Sequence, residues 1–166
     1  MMPRLTTSSR CAHAARRQRR QRRGFTLIEL MTVVSVLGLL IAIGLPRYRD
    51  VKRRAFAAKI TGDFNTVRLA AYNYFADNST YPSDGSPGVA PAALVPYLPQ
   101  NFKFDAGNYT LDYDVWPSPT NPKQLVVGVT VTSGDQQLVN MVARNSPAGG
   151  TGINVGNAYT YIFAGL

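Results

Sequence analysis

The sequence predicts an α+β fold: a long N-terminal α-helix, apolar on every side in its first half, with a small antiparallel β-sheet packed on its second half. Three observations carry this. Phe25–Leu45 is almost wholly apolar over 21 residues. Phe56, Ile60, Phe64, Val67, Ala71 and Tyr74/Phe75 recur at three- and four-residue steps, the period of one helix face. Beyond residue 100 the pattern turns to short alternating runs rich in Val, Tyr and Thr, punctuated by Gly, Pro, Ser and Asn, which reads as strands and turns.

Residues 1–24 form a basic leader. They hold eight of the eighteen basic residues and no acid. The remainder has ten basic and nine acidic residues, a net +1, so the +9 of the chain belongs to the leader. Polyarginine suits a nucleic-acid arm, but a cationic segment abutting an apolar run is the layout of a membrane-targeting region. Nucleic acid is therefore the lesser reading for a partner. The sole cysteine, Cys11, and the sole histidine, His13, also lie there. Without the leader the chain has no disulfide, no Cys/His zinc site, no thiol nucleophile and no histidine base.

Residues 25–46 are the membrane or filament-core half of the helix. Phe25–Leu45 is about 31 Å long at ~1.5 Å per residue, against a hydrocarbon core of roughly 30 Å. Glu29 is the only Glu in the chain. It lies one turn in, where the helix dipole favours an anion by ~0.3–1 kcal/mol; at the bilayer centre a carboxylate costs roughly 2.5–3.5 kcal/mol. A removed secretory signal fits less well, since the run is longer than an h-region and no A-x-A-like site follows before Pro46. A plain signal anchor, with Glu29 snorkelling to the headgroups, accounts for the apolar run but not for the residues around it.

Those residues, Arg23-Gly24-Phe25-Thr26-Leu27-Ile28-Glu29-Leu30-Met31, resemble the prepilin cleavage and methylation signature of type IV pilins and type II secretion pseudopilins. The likeness is close over residues 20–50. It continues as pattern to about residue 82, where the run Tyr72 to Pro82 is similar to the helix end of those proteins. The resemblance implies a pilin-like fold and cleavage by a prepilin peptidase between Gly24 and Phe25. It also implies N-methylation of Phe25 and an assembly role for Glu29 opposite the new amino group of Phe25. Gly38 and Pro46 fall where such helices loosen on packing; with Gly44 they punctuate the span, and mark either a segment that unwinds in the fibre or a kink in an anchor helix. The implied partners are further copies in a helical filament, the peptidase, the assembly machinery and, before assembly, the lipid bilayer. The implied location is the bacterial inner membrane, single-pass with a cytoplasmic N-terminus, and afterwards an extracellular pilus or a periplasmic pseudopilus. Charge alone decides the orientation weakly, because Arg47, Arg49, Lys52, Arg53, Arg54 and Lys59 follow the span and compete with the leader.

Residues 47–76 are the amphipathic half of the helix. Asp77-Asn-Ser-Thr80 and Tyr81-Pro82 end it, because the residue before Pro disfavours helix. The basic cluster Arg47–Arg54 suits lipid headgroups, acids of a neighbouring subunit, DNA or plain solvent.

Residues 77–166 are expected to form the globular head. Ser83–Gln100 reads as a long connection with a short helical or turn segment over Val89–Leu98. Strands are expected at Phe102–Phe104, Tyr109–Trp116, Lys123–Ser133, Gln136–Arg144 and Tyr159–Phe163. Ser133-Gly134-Asp135 is expected as a hairpin turn and Asn145–Ala158 as a loop. Asp112 and Asp114 share a strand face, but as polar-face neighbours rather than the carboxylate pair of glycoside chemistry. With Asp105 they lack calcium-loop spacing. Gly150-Thr-Gly152-Ile-Asn-Val-Gly156 has the wrong spacing for a dinucleotide fingerprint and is expected to be loop.

No catalytic residue, metal site or cofactor is predicted. The functional expectation is a structural subunit of a type IV pilus. The alternatives are a type II secretion pseudopilin, or a minor pilin that binds DNA, a surface or an exported substrate. The region beyond the leader lacks the cysteine pair of many major pilins, and it also lacks the calcium loop and Trp-Gly segment of the major pseudopilin.

Overall fold

The computed structural model describes residues 24–165, and the basic leader of residues 1–23 lies outside them. The chain divides into two compact units with the boundary between Ile41 and Ala42. One helix, α1, spans Leu27–Asn78.

In the first unit every described residue is exposed. Apolar side chains cover all sides of the helix, as suits a rod whose partner is lipid or other helices. Its two hydroxyls past the first turn are satisfied internally. Thr32 Oγ1 donates to the Ile28 carbonyl at 2.8 Å, and Ser35 Oγ to the Met31 carbonyl at 2.8 Å.

In the second unit α1 continues without a break through Gly44 and Pro46, although Pro46 offers no amide to the carbonyl of Ala42. Further along, Ala57, Ile60, Phe64, Val67, Ala70 and Ala71 are buried. Phe56 and Tyr74 are partly buried against that core. The helix ends two residues later than the sequence suggests, where Ser79 turns left-handed at φ 56° and its amide donates to the Phe75 carbonyl at 2.8 Å.

Four antiparallel strands, β1 (Thr110–Pro117), β2 (Leu125–Thr132), β3 (Thr151–Val155) and β4 (Ala158–Ala164), form one sheet in the order β1-β2-β4-β3. Registers Leu111↔Val131, Tyr113↔Val129, Val129↔Tyr161 and Val131↔Tyr159 set one apolar row after another on a single face. That face makes one core with the buried stripe of α1; Phe64 stacks on Tyr161 with ring centroids 5.7 Å apart. Tyr72 Oη donates to the Phe163 carbonyl at 2.8 Å, and Arg68 Nη1 to Tyr161 Oη at 2.8 Å. The opposite face carries Thr110, Asp112, Asp114, Thr130 and Thr160, in register.

The connection after α1 covers the outer edge of β1. Gly85 N–H donates to the Tyr113 carbonyl at 3.0 Å and Gly88 N–H to the Leu111 carbonyl at 2.8 Å, while Asp84 Oδ1 accepts from Val115 N–H at 2.9 Å. Such cover removes a sticky sheet edge. A 3-10 turn follows at Val95–Tyr97, within the segment expected to be helical or turn.

Three local expectations are corrected. Gln136–Arg144 is not a strand but a helix, α2. Asp135 caps it, its carboxylate accepting from the Gln137 and Leu138 amides at 3.1 and 3.3 Å. Leu138, Val139 and Val142 then bury one face, and this cap and spacing outweigh the β preference of two valines. The loop expected over residues 145–158 contains strand β3. A side chain at Gly150 or Gly152 would collide with the rings of Tyr161 and Tyr159, so these glycines serve close packing and belong to a strand and its approach rather than a loop. Phe102–Phe104 forms no strand; Phe104 is buried and its carbonyl accepts from Leu111 N–H at 2.7 Å.

Candidate assembly site

Gly24, Phe25 and Thr26 precede α1 in non-helical conformation. Gly24 has open space around it, and Phe25 is 80% exposed. The peptide bond between them is thus flanked by one residue with no side chain and one whose ring touches little. An exposed, unencumbered peptide is what a proteolytic cleft requires.

Glu29 is exposed and bound to its own helix start. Thr26 N–H and Thr26 Oγ1 each donate to Glu29 Oε2 at 2.9 Å, and Glu29 N–H donates to Thr26 Oγ1 at 3.3 Å. This reciprocal arrangement is a capping box. It satisfies amides that α1 leaves unpaired at its N-terminus and fixes the carboxylate one turn from Phe25. The sequence reading singled out Glu29 and passed over Thr26, although Thr-x-x-Glu before an apolar run is a recognised local signal. Gly38 and Gly44 also stand in open space. With Pro46 they are the weak points of an otherwise strong helix.

By length and composition α1 contains a stretch able to cross a membrane. Past its apolar end stands a basic collar of Arg47, Arg49, Lys52, Arg53 and Arg54. Arg53 Nε donates to Asp135 Oδ2 at 2.7 Å, and Arg53 Nη1 lies 3.6 Å from Asp50 Oδ1. The hydrogen bond from Arg53 is the main cause that holds the Asp135 carboxyl below its ordinary range.

On the polar sheet face, burial pushes Asp112 up to about 6, with Asp114 and Asp84 adding repulsion. Asp114 accepts from Thr130 Oγ1. Among the described residues no group of three or more His, Cys, Asp or Glu is arranged to hold a metal.

The family model described as "Prokaryotic N-terminal methylation motif" matches residues 19–45. The chain is 37% identical over 107 residues to a type II secretion system core protein G of Pseudomonas aeruginosa, covering 61% of this chain and 73% of that protein. It is 31% identical over 99 residues to a core protein G of Dickeya chrysanthemi, covering 58% and 65%. It is 35% identical over 71 residues to a type IV major pilin of Neisseria gonorrhoeae, covering 43% and 33%. No solved structure matches the chain.

Proposed function

The chain belongs to the family of type IV pilins and type II secretion core proteins, and from that premise we propose that it is a structural filament subunit held in the inner membrane until it polymerises. The observation that carries this is the start of α1. An apolar rod, exposed on all sides, bears a single acid fixed by Thr26 one turn from the Gly24–Phe25 bond.

Hydrolysis of that bond leaves an amino group on Phe25; its neutral form would take a methyl group from a methyl donor on the peptidase, and the product is again an ammonium at neutral pH. Glu29 is the charge that this ammonium would meet on a copy already in the fibre. As the only acid within Phe25–Leu45, it admits one axial register. Lipid tails are as apolar as the rods, so van der Waals packing between them, rather than removal of apolar surface from water, supplies the strength, and the charge pair supplies the alignment. Gly38, Gly44 and Pro46 give the helix a segment that loosens when packed.

Within this class a type II secretion pseudopilus is better supported than the type IV pilus that the sequence first suggests. The likeness to core proteins G runs over 98 to 123 residues and reaches into the head. The likeness to pilins runs over 64 to 74 residues. Deleting the chain tests both readings. A pseudopilin deletion leaves exported proteins in the periplasm and surface pili intact; loss of surface pili with normal export favours the pilus instead. N-terminal mass spectrometry of sheared filaments tests the processing, the expected species beginning at methylated Phe25.

A further inference from the structure

The basic collar has more charge than the fold uses. Arg53 is committed to Asp135 and Asp50. Among the described residues Arg47, Arg49, Lys52 and Arg54 make no ion pair. At 3.6 residues per turn, Arg49, Lys52 and Arg53 fall on the Phe56 side of α1, and Arg47 and Arg54 fall on the opposite side.

The Phe56 side opens on a cavity of about 520 Å³, bordered by Arg49, Lys52, Arg53, Asn108, Ser133 and Gly134. Asp135 and Leu138, at the start of α2 where the helix dipole is positive, also line it. The one carboxylate there, Asp135, is occupied by Arg53 and by two α2 amides. Arg49 and Lys52 border this partly apolar space, which Phe56 and Leu138 also line; Lys52 Nζ lies 5.7 Å from the centre of the Phe56 ring, and among the described residues neither cation pairs with an acid.

Position selects the anion. Leu45 ends the apolar run, and Arg49 and Lys52 follow it by about 6 and 10 Å along the helix at ~1.5 Å per residue. The headgroup layer on each side of a bilayer is roughly 5–8 Å thick. Helical side chains lean toward the N-terminus, and long basic side chains stretch to reach an interface, so both cations lean back toward the bilayer. Resting on the membrane-spanning reading above, we propose that this cavity binds the phosphate of an anionic phospholipid headgroup while the subunit is still in the bilayer. Leaving for the fibre then means surrendering that lipid.

The test uses the full chain reconstituted in phosphatidylcholine bilayers, with trace spin-labelled phosphatidylglycerol or spin-labelled phosphatidylcholine read by electron paramagnetic resonance. Residues 1–23 are present in every variant, so their charge cancels from the comparison. The wild type is expected to restrain phosphatidylglycerol in preference to phosphatidylcholine. Arg49→Gln with Lys52→Gln is expected to cut that preference by about fivefold or more, the value of a basic residue near an anionic surface, and Arg49→Lys with Lys52→Arg to keep it. An equal loss from Arg47→Gln with Arg54→Gln would overturn the site in favour of diffuse attraction. An unchanged preference with filaments lost from the Arg49/Lys52 variant would assign the cavity to carboxylates of a second copy. A chain that fails to float with the vesicles would sink the membrane-spanning reading as well, whereas a chain that floats without the preference overturns only the headgroup site.

Discussion

Thr26 and Glu29 hold each other at the start of α1: the Thr26 amide and hydroxyl both donate to Glu29 Oε2, and the Glu29 amide donates back to Thr26 Oγ1. The acid proposed to guide assembly therefore already has work in the free chain. Glu29→Gln separates the two roles, because a glutamine oxygen still accepts from Thr26 while the charge is gone. The variant is expected to insert and to be cleaved like the wild type, yet to be missing from sheared filaments. Normal filaments from it would leave Glu29 with the cap alone.

Gly24→Leu places a branched side chain against the bond to be cut. The precursor is expected to stay uncleaved beside the peptidase, seen as a band that does not shift on a gel.

Burial, then the charges of Asp114 and Asp84, push Asp112 up to about 6. A carboxyl that holds its proton more tightly in the fold than in the unfolded chain costs stability once ionised. That cost is complete above the folded value and vanishes below the unfolded one, about 4. Asp112→Asn is therefore expected to raise thermal stability of the detergent-solubilised chain at about pH 8. The gain is on the order of 1 kcal/mol after allowing for solvent screening, and it fades to nothing by about pH 4. A gain that grows toward acid would contradict the placement of Asp112.

Gly152 leaves the space that the ring of Tyr159 fills. Gly152→Ala is expected to destabilise the head by about 1–3 kcal/mol, the usual range for overpacking, measured as a lower thermal midpoint. Adding Tyr159→Ala is expected to remove the clash, so the two changes together cost less than their sum.

How far the sequence speaks depends on how local the cause is. The stripe Ile60, Phe64, Val67, Ala71 is local, and the structure buries all four. The alternation Leu111, Asp112, Tyr113, Asp114 is local too, and it sorts onto two faces of β1. Gln136–Arg144 misled because Ser133-Gly134-Asp135 reads equally as a hairpin turn or a helix cap, and only burial of Leu138, Val139 and Val142 decides. Strand β3 was illegible for a distant reason, its glycines making room for rings on β4. The same holds at the collar. Arg49 and Lys52 stand out in the sequence as charge, but the cavity before them is closed by Asn108 and Ser133, which only the fold brings near.

Thr32 and Ser35 donate their hydroxyl hydrogen bonds to carbonyls of their own helix. For a rod that trades lipid for other rods, the journey then breaks no polar bond along this stretch, and going back would break none either. Nothing in the shaft makes the traffic one-way, so the direction of growth has to be imposed at the chain's charged end and by whatever machine supplies the push.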